Sequence, residues 1–193
     1  IYPFGSYTGD IVYNGEVYNF LELKEELKKK YKFYTKTDTE VILHAYEEWG
    51  HDVVKKLRGM YAFAIWNKKE EELFCAVDGW GIKPFYYFKN DDTFMFASEI
   101  KAFLDHPDFK KEFNEEILSA YLCFNSVPTE ETFFKGVKRL KPGHYLTYKN
   151  GKLNIKKFFE LKFEEKDQKI EDIAEDIASA MKDSVTHHEI AES

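Results

Sequence analysis

The chain reads as an α+β domain, and three observations predict that class. Between residues 60 and 97 the runs "MYAFAIWN", "ELFCAVD", "PFYYFKN" and "TFMFAS" follow one another as short apolar stretches divided by polar or Gly/Pro-bearing turns, a succession of strands. Ahead of them, Phe20, Leu23, Leu27 and Tyr31, then Val41, Leu43, Ala45, Tyr46 and Trp49, recur at helical spacing. Two Asn-Gly pairs, Asn14-Gly15 and Asn150-Gly151, lie within alternating runs, a strong hairpin signal because both central residues of a type I′ turn need φ > 0.

Taken in order, "DIVYNGEVYNF" predicts a strand pair turning at Asn14-Gly15. "NFLELKEELKKKY" predicts a helix with Asn19 as its N-cap, and "KFYT" a short strand. In "TKTDTEVILHAYEEWG", Thr37 and Glu40 are spaced as a capping box and Gly50 is placed to end the helix; "HDVVKKLRG" adds a turn or two. After the strand block, helices are expected at Glu99–Leu104, capped by Ser98, and at Asn114–Phe124. Pro142-Gly143 turns into a strand, Asn150-Gly151 closes the second hairpin, and His144 reads as a structural hydrogen-bonding residue. "FEEKDQK" is the best linker. The tail from Lys169 to His188 is helical by period, with Ile170, Ile173, Ile177, Ala178, Met181 and Val185 on one face.

With 44% apolar and 18% aromatic residues, the 193-residue chain can build a real core. A net charge of −7 argues against nucleic acid or an anionic membrane surface as partner. Cys75 and Cys123 sit in apolar runs without C-x-x-C spacing, which predicts small buried hydrophobes, no zinc site and a reducing, cytoplasmic setting. The six histidines show no ligand spacing, so no metal is expected. No window reaches the ~18 apolar residues of a membrane span. The chain opens at Ile1 and runs straight into a strand, so a missing N-terminal segment is expected.

"VYNGEVYNF", "TKTDTEVILHAYEEWG", "LRGMYAFAIWN", "AVDGWGIKPFYY", "FASEIKAFL" and "KRLKPGHYL" together, in order and spacing, resemble the glutaminase domain of the glutamine-dependent asparagine synthetase family, class II amidotransferases with an N-terminal-nucleophile fold. The resemblance implies a four-layer α/β/β/α sandwich of two antiparallel sheets for residues 1–163, with 164–193 the linker and first helix of a following synthetase domain. It implies hydrolysis of the glutamine side-chain amide by an N-terminal cysteine whose own α-amine is the base, with ammonia passed to a domain that activates aspartate with ATP and magnesium. Glutamine is then the substrate and the following domain the partner; a homodimer is compatible with this.

By the same resemblance, Asn14 and Gly15 form the oxyanion hole, Glu16 lies near the glutamine, and Asp78 binds its α-amino group. On the residues alone, Asn14-Gly15 is also a plain hairpin turn and Asp78 also a turn aspartate before Gly79. The family pattern has Arg-Asp-Pro where this chain has Val77-Asp78-Gly79. Ser98-Glu99 reads first as a helix start, with a place on the ammonia path or a domain interface as the other reading. The family's cysteine nucleophile and carboxylate-binding arginine are expected upstream of Ile1, so this piece by itself is expected to lack glutaminase activity. Its nucleotide loop is expected beyond Ser193, so no cofactor is expected within these residues. Two rival readings are a non-catalytic interface or regulatory domain and the glutaminase part of another amidotransferase.

Overall fold

The computed structural model describes residues 9–165 and 167–191. It contains strands β1 (Gly9–Val17), β2 (Gly59–Asn67), β3 (Glu72–Val77), β4 (Tyr86–Lys89), β5 (Phe94–Ala97), β6 (Val137–Arg139), β7 (His144–Lys149) and β8 (Lys152–Lys157). Its α-helices are α1 (Phe20–Leu27), α2 (Asp38–Trp49), α3 (Leu118–Phe124) and α4 (Ile170–Ala191). The strands form two sheets, one ordered β1-β2-β3-β7-β8 and one ordered β5-β4-β6. Antiparallel ladders join β2 to β3, β3 to β7, β7 to β8, β4 to β5 and β4 to β6. The chain divides into two compact units, one of residues up to Gly15 with Met60–Phe159, the other of Glu16–Gly59 with the residues from Glu160.

In the first unit, strand alternation decides what faces what. Ala62 and Ala64 of β2 and Cys75 and Val77 of β3 point to one side and meet Phe85, Tyr87 and Leu140, so the two sheets share a core. Phe85 and Phe96 stack within it at 5.4 Å. The other face of the small sheet buries Val137 against Phe103 and Phe109. On the opposite face of the large sheet, Tyr61, Phe63, Phe74 and Tyr145 form a continuous run of ring contacts at 5.3–5.9 Å.

In the second unit α1 buries Leu23 and Leu27, while α2 buries every residue from Glu40 to Tyr46. The helix starts were expected at these places, but the capping chemistry differs. Neither Asn19 nor Thr37 makes a side-chain cap. Asn19 instead accepts from Arg58 N and donates to Lys56 O, both at 2.9 Å. Glu40, fully buried, accepts from Tyr34 N at 2.7 Å, Thr35 N at 2.6 Å and Thr35 Oγ1 at 2.5 Å. Those amides are thereby taken from any ladder, which is why "KFYT" is not a strand. Gly50 ends α2 with φ of 56°, as its place predicts.

Two further expectations are corrected. The segment after Ser98 is a short 3-10 helix, Ile100–Phe103, whose N-cap is Glu99 rather than Ser98. Cys123 is exposed, because no residue of α3 is buried; only Cys75 is a core residue.

Candidate active site

Asn14 and Gly15 do not turn. β1 continues through them to Val17 without a break, so the hairpin expected at this place is absent. Gly15 has φ of 151°, and a Cβ added to it would stand 2.2 Å from Met60 O and 2.6 Å from the Cα of Tyr61. Only glycine lets the β2 backbone come this close. Gly59 does the same from the other strand, where a Cβ would lie 2.1 Å from Glu16 O. The tripeptide is therefore pinned in an extended conformation, with Asn14 exposed and Gly15 and Glu16 half-buried. An extended strand sets successive side chains on opposite faces, so Asn14 and Glu16 project to the same side.

The Asn14 amide donates through Nδ2 to Ser98 Oγ at 3.4 Å. Beside this contact is a cleft of about 240 Å³, lined in part by Val12, Asn14, Ala62, Ala64, Phe96 and Ser98. The two alanines leave that space open between the sheets. At the far end of the tripeptide, Asp38 in the first turn of α2 accepts from Val17 N at 3.1 Å. Its half-buried carboxylate stands at the end of β1, one residue past Glu16. The Asp38 position was legible only as the start of a helix, so sequence reasoning passed over it.

Asp78 directly follows β3, as expected. It is fully buried, and Oδ2 accepts from Tyr61 N at 3.1 Å and Lys83 N at 3.3 Å. Oδ1 accepts from Trp80 N at 2.9 Å and Ile82 N at 3.2 Å. Four backbone donors converge on one carboxylate, which ties β2 to the loop after β3. Burial and this neighbouring carboxylate push the Tyr61 phenol well up from its ordinary value.

The departures at Val77 and Gly79 also have physical reasons. Val77 belongs to the core between the sheets, and a Cβ on Gly79 would press within 2.9 Å of the Phe159 ring. Cys75 is buried and desolvation drives its thiol well up, so it is no thiolate nucleophile. His144 bonds through Nδ1–H to Pro142 O at 2.8 Å, the structural role its turn predicts.

A family model described as a glutamine amidotransferase domain matches residues 2–159. The chain belongs to the glutamine amidotransferase domain family. Among curated relatives, this amidotransferase domain is 39% identical over 192 residues to asparagine synthetase [glutamine-hydrolyzing] 3 of Bacillus subtilis, covering 97% of this chain and 31% of that protein. Against asparagine synthetase [glutamine-hydrolyzing] 1 of the same organism the identity is 38% over 180 residues, with 92% and 28% covered. The chain thus spans less than a third of the length of these relatives. Among solved structures, glutamine phosphoribosylpyrophosphate amidotransferase from B. subtilis matches with a TM-score of 0.55 at 23% identity, over 78% of this chain and 29% of that one. An enzyme described as the allosteric regulatory enzyme of purine biosynthesis matches with 0.56 at 22% identity, over 78% and 28%. The fold of the amidotransferase domain is accordingly the N-terminal-nucleophile α+β type with two antiparallel sheets.

Proposed function

We propose that this domain hydrolyses the side-chain amide of glutamine and that the whole protein uses the ammonia to make asparagine from aspartate. The observation that carries the reading is the pinned, extended Asn14-Gly15 pair, held by close backbone contacts that only glycine permits. Amide attack places negative charge on the carbonyl oxygen, and donors already fixed in position stabilise it without reorganising. In this reading Asn14 Nδ2–H and Gly15 N–H are those donors. The nucleophile the family resemblance implies is a cysteine at the mature N-terminus of the whole protein, whose own α-amine is the base.

Glutamine carries an α-ammonium that needs a carboxylate. In the same reading Asp78 is that carboxylate, as the family resemblance implies, and Glu16 lies near the substrate. Residues 164–193 are, in the same proposal, the linker and first helix of a synthetase domain. The exposure of Ile170, Ile177, Met181 and Val185 along α4 supports that assignment, because an apolar stripe is built to be covered. In the same proposal ATP and magnesium are held by that following domain. No helix among the described residues is long and apolar enough to cross a membrane.

The test is glutamate release from glutamine by the full-length protein, with asparagine followed when aspartate and ATP are supplied. Asp78→Asn is expected to raise KM for glutamine at least tenfold, roughly the loss of one charge-assisted contact. A full-length protein that forms asparagine only from free ammonia would overturn the proposal.

A further inference from the structure

We infer that Ser98 is a positioning residue for the Asn14 amide, and through it for the hydrolytic step. The inference rests on the oxyanion role proposed above for Asn14. β1 is an edge strand of the large sheet and β5 an edge strand of the small one, and Ser98 directly follows β5. The Asn14–Ser98 bond therefore ties the rims of the two sheets together at the mouth of the cleft.

Asn14 is exposed, so its side chain has rotamer freedom that a preorganised donor cannot keep. Its Nδ2 carries two N–H groups. One donating to Ser98 Oγ fixes the plane of the amide, and the other stays available for a developing oxyanion. What holds Ser98 in place is rigid. Ala97 pairs with Tyr86 in the β4–β5 ladder, and Phe96 stacks on Phe85 inside the core. Ser98 caps no helix, which leaves the Asn14 contact as its hydrogen bond to a side chain of the site.

The experiment compares the full-length protein with Ser98→Ala, Ser98→Thr, Asn14→Ala and the double variant Asn14→Ala/Ser98→Ala, reading kcat and KM for glutamine and the thermal midpoint. Ser98→Ala is expected to lower kcat roughly tenfold, the cost of a misplaced donor, with KM within about twofold and an unchanged midpoint. Ser98→Thr, which keeps the hydroxyl, recovers most of it. On the Asn14→Ala background the serine change costs nothing further, since the two act as a unit. Parental kcat in Ser98→Ala, an undiminished loss in the double variant, or a lowered midpoint that accounts for the loss would each overturn the inference. A parent that releases no glutamate from glutamine would bring down the proposed function, and this inference with it.

Discussion

The same dipeptide occurs twice in this chain with opposite outcomes. Asn150 and Gly151 have φ of 51° and 73° and close the β7–β8 hairpin between Lys149 and Lys152, as a type I′ turn requires. Asn14 and Gly15 lie inside β1 and do not turn. Local chemistry is identical, so the difference comes from the neighbours. A Cβ at Gly151 would meet nothing within 4 Å, whereas one at Gly15 would run into the β2 backbone. One glycine serves conformational freedom, the other close approach. Where the approach is required, the asparagine beside it is held with its amide at the rim of a cleft, and that is where chemistry can be placed.

Two substitutions sharpen the contrast. Gly15→Ala drives a methyl group into Met60 O and Tyr61 Cα and is expected to cost about 3 kcal/mol or more in urea unfolding. Gly151→Ala, strained only by its positive φ, costs about 1–2 kcal/mol. Equal losses at the two glycines would remove the distinction.

Asp78→Asn comes next, because an amide NH₂ would replace one acceptor oxygen among four backbone N–H donors. A loss of about 2–3 kcal/mol in stability is expected. Unchanged stability would show that the four amides do not depend on this carboxylate.

The smallest effect concerns Glu130, whose carboxyl is held below its ordinary value by hydrogen bonds from Lys141 and then Lys138. A depressed folded-state pKa adds stability above the ordinary glutamate range, and that stability is lost as pH falls through the lowered value. Glu130→Gln should therefore cost about 0.5 kcal/mol at neutral pH and nothing in acid, as befits a half-exposed pair. A cost that persists in acid would point to packing instead.

Elements with their own periodicity were legible in the sequence: the alternating strands from Met60 to Ala97, the β7–β8 hairpin, and α2 with its terminating Gly50 all lie where the pattern places them. Features set by distant partners were not. Thr37-x-x-Glu40 has the spacing of a capping box, yet Glu40 turns to Tyr34 and Thr35, a bond no local rule specifies. Ser98 looks like a cap until β1 brings Asn14 to it across 84 positions of sequence. Asp78 at a strand end gives no local sign of the amides of Tyr61, Trp80 and Lys83 that its carboxylate accepts. Of the candidate site, Asn14, Gly15 and Glu16 were readable as a motif in register with others. The bond from Val17 N to the Asp38 carboxylate was not readable, because it joins residues 21 positions apart.

The most direct test of the pinned Asn14-Gly15 pair as an oxyanion site is kcat for glutamine hydrolysis by the full-length protein carrying Asn14→Ala, beside Asn150→Ala as the matched control. Loss of one such donor predicts a fall of roughly 10²–10³-fold in kcat for Asn14→Ala, with little change in KM, and parental turnover for Asn150→Ala. Turnover within about twofold of the parent for Asn14→Ala would contradict the assignment, since a donor aimed at the transition state cannot be removed at so little cost.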